Sequence, residues 1–167
     1  MSKFLTKLES RYLGNGYLEL ITPLIYYSSY LDGILVAPEG FISDGESIPR
    51  IPFIYSWLAG TSLLGGVMHD DGYRIPDPYK ATYTLSDYKN YVSPEDLIEY
   101  GEKFIVGFLD KQDADLIYLE IMILRGNSKA KRKAKYKAVD WYGAGSYYKL
   151  SEYASLEEVL KAHGKNK

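Results

Sequence analysis

The chain holds two histidines, and one of them, His69, stands in the stretch LLGGVMHDDGYR, Leu63 to Arg74. An imidazole held by a carboxylate has a known use. The acid fixes ring orientation and tautomer, and the free nitrogen takes a proton from water or a substrate. The acid is expected from DKQDADLIYLEIMIL, Asp110 to Leu124, where Asp115, Tyr118, Leu119 and Met122 fall at i, i+3, i+4 and i+7. That spacing aims Asp115 inward among apolar side chains. A buried carboxylate needs a partner, and His69 is the outstanding one. Tyr73 lies one helical turn after His69 and joins the same network. The catalytic candidates are therefore His69, Asp115 and Tyr73, and the competing reading is a buried network that fixes how two helices pack.

Asp70 points about 100° around the helix from His69, toward solvent, a cation or a basic side chain. With Asp44 it suits a hard divalent cation, calcium or magnesium, because both supply carboxylate oxygens. The segment FISDGESIPR, Phe41 to Arg50, has the composition of a turn bonded to its own backbone or of one wall of a site. Ser47, Arg50 and Arg74 are supporting candidates, and Ser47 becomes a nucleophile only if folding brings it to His69.

Composition limits the alternatives. With 20 Lys and Arg against 22 Asp and Glu, the formal charge of -2 gives no general attraction to DNA or anionic lipid. The basic run from Lys129 to Lys137 spreads around its helix, which disfavours nucleic acid as a partner. There is no cysteine, so disulfides, thiolate zinc sites and cysteine nucleophiles are excluded. GxxxxGK[ST], GxGxxG and HExxH are absent. The sequence predicts no transmembrane segment and no export signal. Its 18 tyrosines suit an interaction surface.

These side chains must be held by a core, and 167 residues that are 46% hydrophobic are enough for one. YLELITPLIYYSSY, Tyr17 to Tyr30, reads as strand, with Pro23 at an edge or break and LDG as a turn. ILVAPEGFISDG continues an antiparallel β-meander. Leu63 to Arg74 reads as a helix whose glycines permit close approach of backbones. The segment from Tyr79 to Val92 reads as an exposed hairpin or loop. Ser93 and Pro94 open the next helix, Asp110 to Leu124 is the strongest, and Gly126 stops it. In the helix from about Ser128 to Trp141, the stripe of Ala130, Ala134 and Ala138 is expected to face the preceding helix. A capping box at Ser155 and Glu158 opens a terminal helix, in which His163 suits the last turn. The expected fold is α+β: a small N-terminal antiparallel β-meander packed on a bundle of about four helices. One domain covers residues 1–150, with a tyrosine-rich insertion at about 76–108 and a C-terminal helical tail at 151–167.

Three blocks, FISDGESIPR, GGVMHDDGYR, and DADLIYLEIM followed by KYKAVDWYG, resemble the phage and prophage family called domain of unknown function 1353. The resemblance covers about residues 15–145 and carries Asp44, Ser47, Pro49, His69, Asp70, Tyr73, Asp115 and Met122. It implies phage origin without an activity, and a place in the host cytoplasm or the virion. The HDxxY block with a distant aspartate is also similar to secreted phospholipase A-two. That likeness implies His69 as the base activating water, Asp70 as a calcium ligand, and Tyr73 and Asp115 as supports of the histidine. The chain departs from that superfamily by lacking disulfides and a recognisable glycine-rich calcium loop. Two functions follow as expectations: a hydrolase-like His/Asp site, or a non-enzymatic virion or assembly component, tail included, that binds other phage structural proteins through its tyrosines.

Overall fold

Strand alternation sends successive side chains to opposite faces, and in LIYYS and GILVA every one of them is large, apolar or otherwise fitted for burial. The structure, a computed structural model, describes residues 1–14, 16–44, 63–73, 82–107 and 109–150, with 140–150 described by backbone alone. The fold is α+β, with the N-terminal strands preceding the helices. The strands divide between two antiparallel sheets. One has the order β1 (Lys3–Phe4), β4 (Leu24–Ser28), β5 (Gly33–Ala37), and the other β2 (Ser10–Gly14), β3 (Tyr17–Leu20), β6 (Ile42–Ser43). Pro23 falls in the break between β3 and β4, where its missing N–H removes no ladder bond. The LDG turn places Asp32 at φ 48°, a left-handed conformation that aspartate tolerates.

Both faces of the β4–β5 hairpin are buried. Leu24, Tyr26, Leu35 and Ala37 face one core, shared with Val67, Met68, Ile117 and Ile121. Ile25, Tyr27, Ile34 and Val36 face a second, shared with Leu85, Val92, Tyr100 and Ile105. The register pairs Tyr26 with Leu35 and Ile25 with Val36, so each cross-strand pair belongs to one core. The hairpin is a wall between two apolar compartments.

The helices among the described residues are α1 (Leu63–Gly72), α2 (Pro94–Tyr100), α3 (Lys111–Leu124) and α4 (Lys129–Leu150), with a 3-10 turn at Leu85–Tyr88. Ser93 caps α2 by accepting from the Asp96 N–H, and Asp110 caps α3 by accepting from that of Asp113. Gly126 takes φ 71° just past α3. Helices α1 and α3 cover the first face of the hairpin. The second is covered by residues 82–107, whose strand-like stretch bonds to β5 through Val106 N–H to Ile34 O at 2.7 Å. The tyrosine-rich segment is thus more than a solvent-facing loop: Tyr83 and Tyr91 are exposed, while Leu85, Val92 and Tyr100 complete the second core. No helix of the described residues is long and apolar enough to cross a membrane.

One face differs from the expected stripe. On α4, Lys135 and Val139 are buried, Ala134 and Ala138 are half-buried and Ala130 is exposed. Val139 meets Tyr118 and Met122 of α3. A branched apolar residue fills this contact, which small side chains alone would leave underpacked. The predicted C-terminal tail and His163 lie outside the described residues.

Candidate functional site

Helix α1 is buried over most of its circumference, from Gly65 to Asp70 and again at Gly72. Such burial needs neighbours at close range, and the glycines provide it. A Cβ on Gly65 would sit 3.0 Å from the Tyr118 ring, and one on Gly72 would sit 3.0 Å from Leu109 and 3.1 Å from the Ala114 Cβ. Positions 65, 69 and 72 share one stripe of the helix. His69 therefore sits between two points where α1 is pressed against α3 and the residue leading into it.

The approach of α3 brings Asp115 to the imidazole. His69 Nε2 lies 2.9 Å from Asp115 Oδ1, with the residues 4% and 1% exposed. A carboxylate accepts only, so Nε2 carries the hydrogen and Nδ1 is the basic nitrogen of the neutral ring. Among the described residues no hydrogen bond reaches Nδ1. Tyr73, whose N–H bonds the His69 carbonyl in the last turn of α1, donates its hydroxyl to the same Oδ1 at 2.6 Å. Lys111 donates to Oδ2 at 2.7 Å from one turn earlier on α3. The imidazole is also flanked by Tyr73 and Tyr118, with ring centroids 4.0 and 5.2 Å away.

Burial alone would push the Asp115 carboxyl up, but hydrogen bonds from His69, Lys111 and Tyr73 outweigh it and hold the group below its ordinary value. Asp115 is therefore an anion that fixes one imidazole tautomer. A His and Asp so arranged can polarise a water or hydroxyl at Nδ1 and hold the imidazolium that results.

The other candidates separate from this group. The helical angle turns Asp70 away from His69, toward solvent, a cation or a basic side chain. Asp70 is buried, and its Oδ2 accepts from the Ser43 hydroxyl. The physical reason is that β6 passes α1 on that side, so the direction away from α3 leads to the sheet. Asp44, the residue after Ser43, is exposed. Among the described residues no three histidine, aspartate or glutamate side chains form a group able to hold a metal ion. Ser47, Pro49, Arg50 and Arg74 lie outside the described residues. Two participants had not been singled out from sequence. Lys111 was detectable as a cation four residues before Asp115 on the same face, whereas Ser43 carried no local signal.

The close approach is itself testable. Gly65→Ala gains about 1 kcal/mol of helix propensity, but the methyl needs the Tyr118 ring to retreat, at a cost of about 1–3 kcal/mol. A net loss of about 1 kcal/mol is expected in urea unfolding, with a changed ring-current shift on the His69 protons. An unaltered His69 spectrum would show that α1 and α3 are not in contact there.

Residues 18–139 match the model of a family described as a protein of unknown function, DUF1353. No curated protein and no solved structure matches the chain.

Proposed function

The chain belongs to the DUF1353 family of proteins of unknown function, and we propose that within it this protein works as a hydrolase whose His69 activates water. The observation that supports the reading is the bond from His69 Nε2 to Asp115 Oδ1, which leaves Nδ1 as the proton acceptor. Asp115 orients the ring and stabilises its protonated form. Tyr73 and Lys111 hold the carboxylate in place. Water attacks the substrate's electrophilic carbon or phosphorus as its proton passes to Nδ1, and the imidazolium returns that proton to the leaving group. The analogy to phospholipase A-two extends the proposal to esters; a calcium or magnesium ion would be held at the exposed Asp44, and the buried Asp70 would join it only by giving up its bond from Ser43.

The test joins a spectroscopic arm to a kinetic one. Nitrogen-15 correlation spectra of the histidine side chains should show the neutral His69 ring protonated at Nε2. Hydrolysis of p-nitrophenyl esters and phosphate diesters, with and without calcium or magnesium, should fall by about 10²- to 10⁴-fold in His69→Gln with folding retained. The reading is overturned by a ring protonated at Nδ1, or by turnover that His69→Gln leaves intact. Dependence on either cation would support the metal-assisted form.

A second reading, a non-enzymatic phage virion or assembly component, is favoured by the exposed aromatic rings Tyr83, Tyr91 and Phe104 on residues 82–107. Under it the protein cosediments with particles, and His69→Gln leaves that association unchanged.

A further inference from the structure

The N-terminal segment, the β3–β4 connection and the turn before α2 meet around a cleft of about 500 Å³, lined by residues of Phe4–Glu9, by Thr22 and by Asn90 and Tyr91. That volume lies within the range of small-molecule sites. It is separate from the His69 group, none of whose residues lines it.

The floor is rigid. Phe4 packs against the fully buried Tyr26, with ring centroids 4.7 Å apart and planes tilted by 45°. Thr6 Oγ1 donates to the Pro23 carbonyl at 3.0 Å and accepts from the Ile25 N–H at 2.8 Å. Leu5 N–H bonds the Ile25 carbonyl at 2.9 Å. The polar atoms of the floor are engaged in holding the chain. Those of the rim are not: among the described residues, the side chains of Lys7, Glu9, Thr22, Asn90 and Tyr91 make no hydrogen bond or ion pair to one another or to the rest of the protein.

The rim thus presents an ammonium, a carboxylate, a hydroxyl, a carboxamide and an aromatic ring. Lys7 and Glu9 cancel in charge, so the cleft does not select an anion or a cation. Donors and acceptors of several kinds beside one aromatic face match a ligand that carries many hydroxyls and an apolar C–H face. A pyranose ring has both. We propose that this cleft binds a neutral saccharide of one or two rings, with Tyr91 as the stacking platform and Asn90, Glu9, Lys7 and Thr22 bonding its hydroxyls. Because the floor is fixed by Thr6 and Phe4, binding requires ordering of the rim side chains only.

The test is titration of the nitrogen-15-labelled full chain with glucose, galactose, N-acetylglucosamine, maltose and lactose. Saturable amide shifts at residues 5–9 and 90–91 are expected with at least one of them, unchanged when salt is raised. Tyr91→Ala should weaken binding about tenfold, while Tyr83→Ala, another exposed tyrosine outside the cleft, should leave it unchanged. Absence of saturable shifts with every sugar overturns the assignment. So do equal losses in the two tyrosine variants, or binding abolished by salt, which would indicate a charged ligand.

Discussion

Replacing Asp115 with alanine is expected to lower the unfolding free energy by about 3–5 kcal/mol, because it removes one partner of a buried polar group and leaves the others in place. His69 Nε2, the Tyr73 hydroxyl and Lys111 Nζ all donate to this one carboxylate, and two of the three come from residues less than 5% exposed. Asp115→Asn separates shape from charge. The amide oxygen can still accept from His69 and Tyr73, but its NH2 group meets the Lys111 ammonium as donor against donor. A smaller loss, about 1–3 kcal/mol, is expected. Urea unfolding followed by circular dichroism measures both, and an Asp115→Ala protein as stable as the wild type would mean that the network does not hold α1 to α3.

The same carboxylate predicts a pH dependence. Its folded-state pKa lies below the ordinary value of 3.8. Its contribution is therefore complete above that value and is lost as pH falls from there through the lower folded pKa. Acid unfolding of the wild type should steepen in this window, and the asparagine variant should lack that component. If the two acid profiles run parallel, Asp115 is not anionic in the folded protein.

Glu120→Ala is expected to cost about 2–4 kcal/mol, since it removes the acceptor shared by several donors. Glu120 Oε2 accepts from the hydroxyls of Tyr26 at 2.9 Å and Ser28 at 2.8 Å, and Oε1 from Ser2 at 2.6 Å, Ser29 at 3.1 Å and the Tyr30 N–H at 3.1 Å. Tyr26 and Ser28 are fully buried, so their hydroxyls would be left without an acceptor. Burial, reinforced by the Glu120 charge, pushes the Tyr26 hydroxyl far above the usual tyrosine range and keeps it a donor. Glu120→Gln places an NH2 group among these donors and should lose about 1–2 kcal/mol. Hydrogen exchange at Ser29 and Tyr30 should accelerate in both variants. A loss below about 0.5 kcal/mol in Glu120→Ala, the level of an ordinary surface substitution, would show that the cluster is replaceable by water.

Asp115 and Glu120 also show how far the sequence could be read. Asp115 was legible because it stands on an apolar helical face, and a lone acid there implies a partner. Glu120 was not, since its donors come from the N-terminus and the end of β4, at separations no local pattern reports. Helix ends were legible at Ser93, whose side chain caps α2, and at Gly126, whose left-handed backbone follows the end of α3. The two-sided burial of β4 and β5 was hidden because apolar runs of that length suit several environments. The helical angle turned Asp70 away from His69 but did not say what lies on that side, and here β6 supplies Ser43. On α4 the alanine pattern pointed to the preceding helix, which is its neighbour, but not to Val139 beside the stripe, which fills the contact. Small residues permit contact without requiring it.

The β4–β5 hairpin, with one apolar compartment on each side, also determines how the protein can open. Neither compartment can be exposed without uncovering a face of strands that still seal the other, so partial unfolding that spares one of them is disfavoured. The amides of Ile25, Tyr26, Leu35 and Val36 should therefore exchange only through global unfolding. Denaturation followed by tyrosine fluorescence, to which both compartments contribute, should give one transition rather than two.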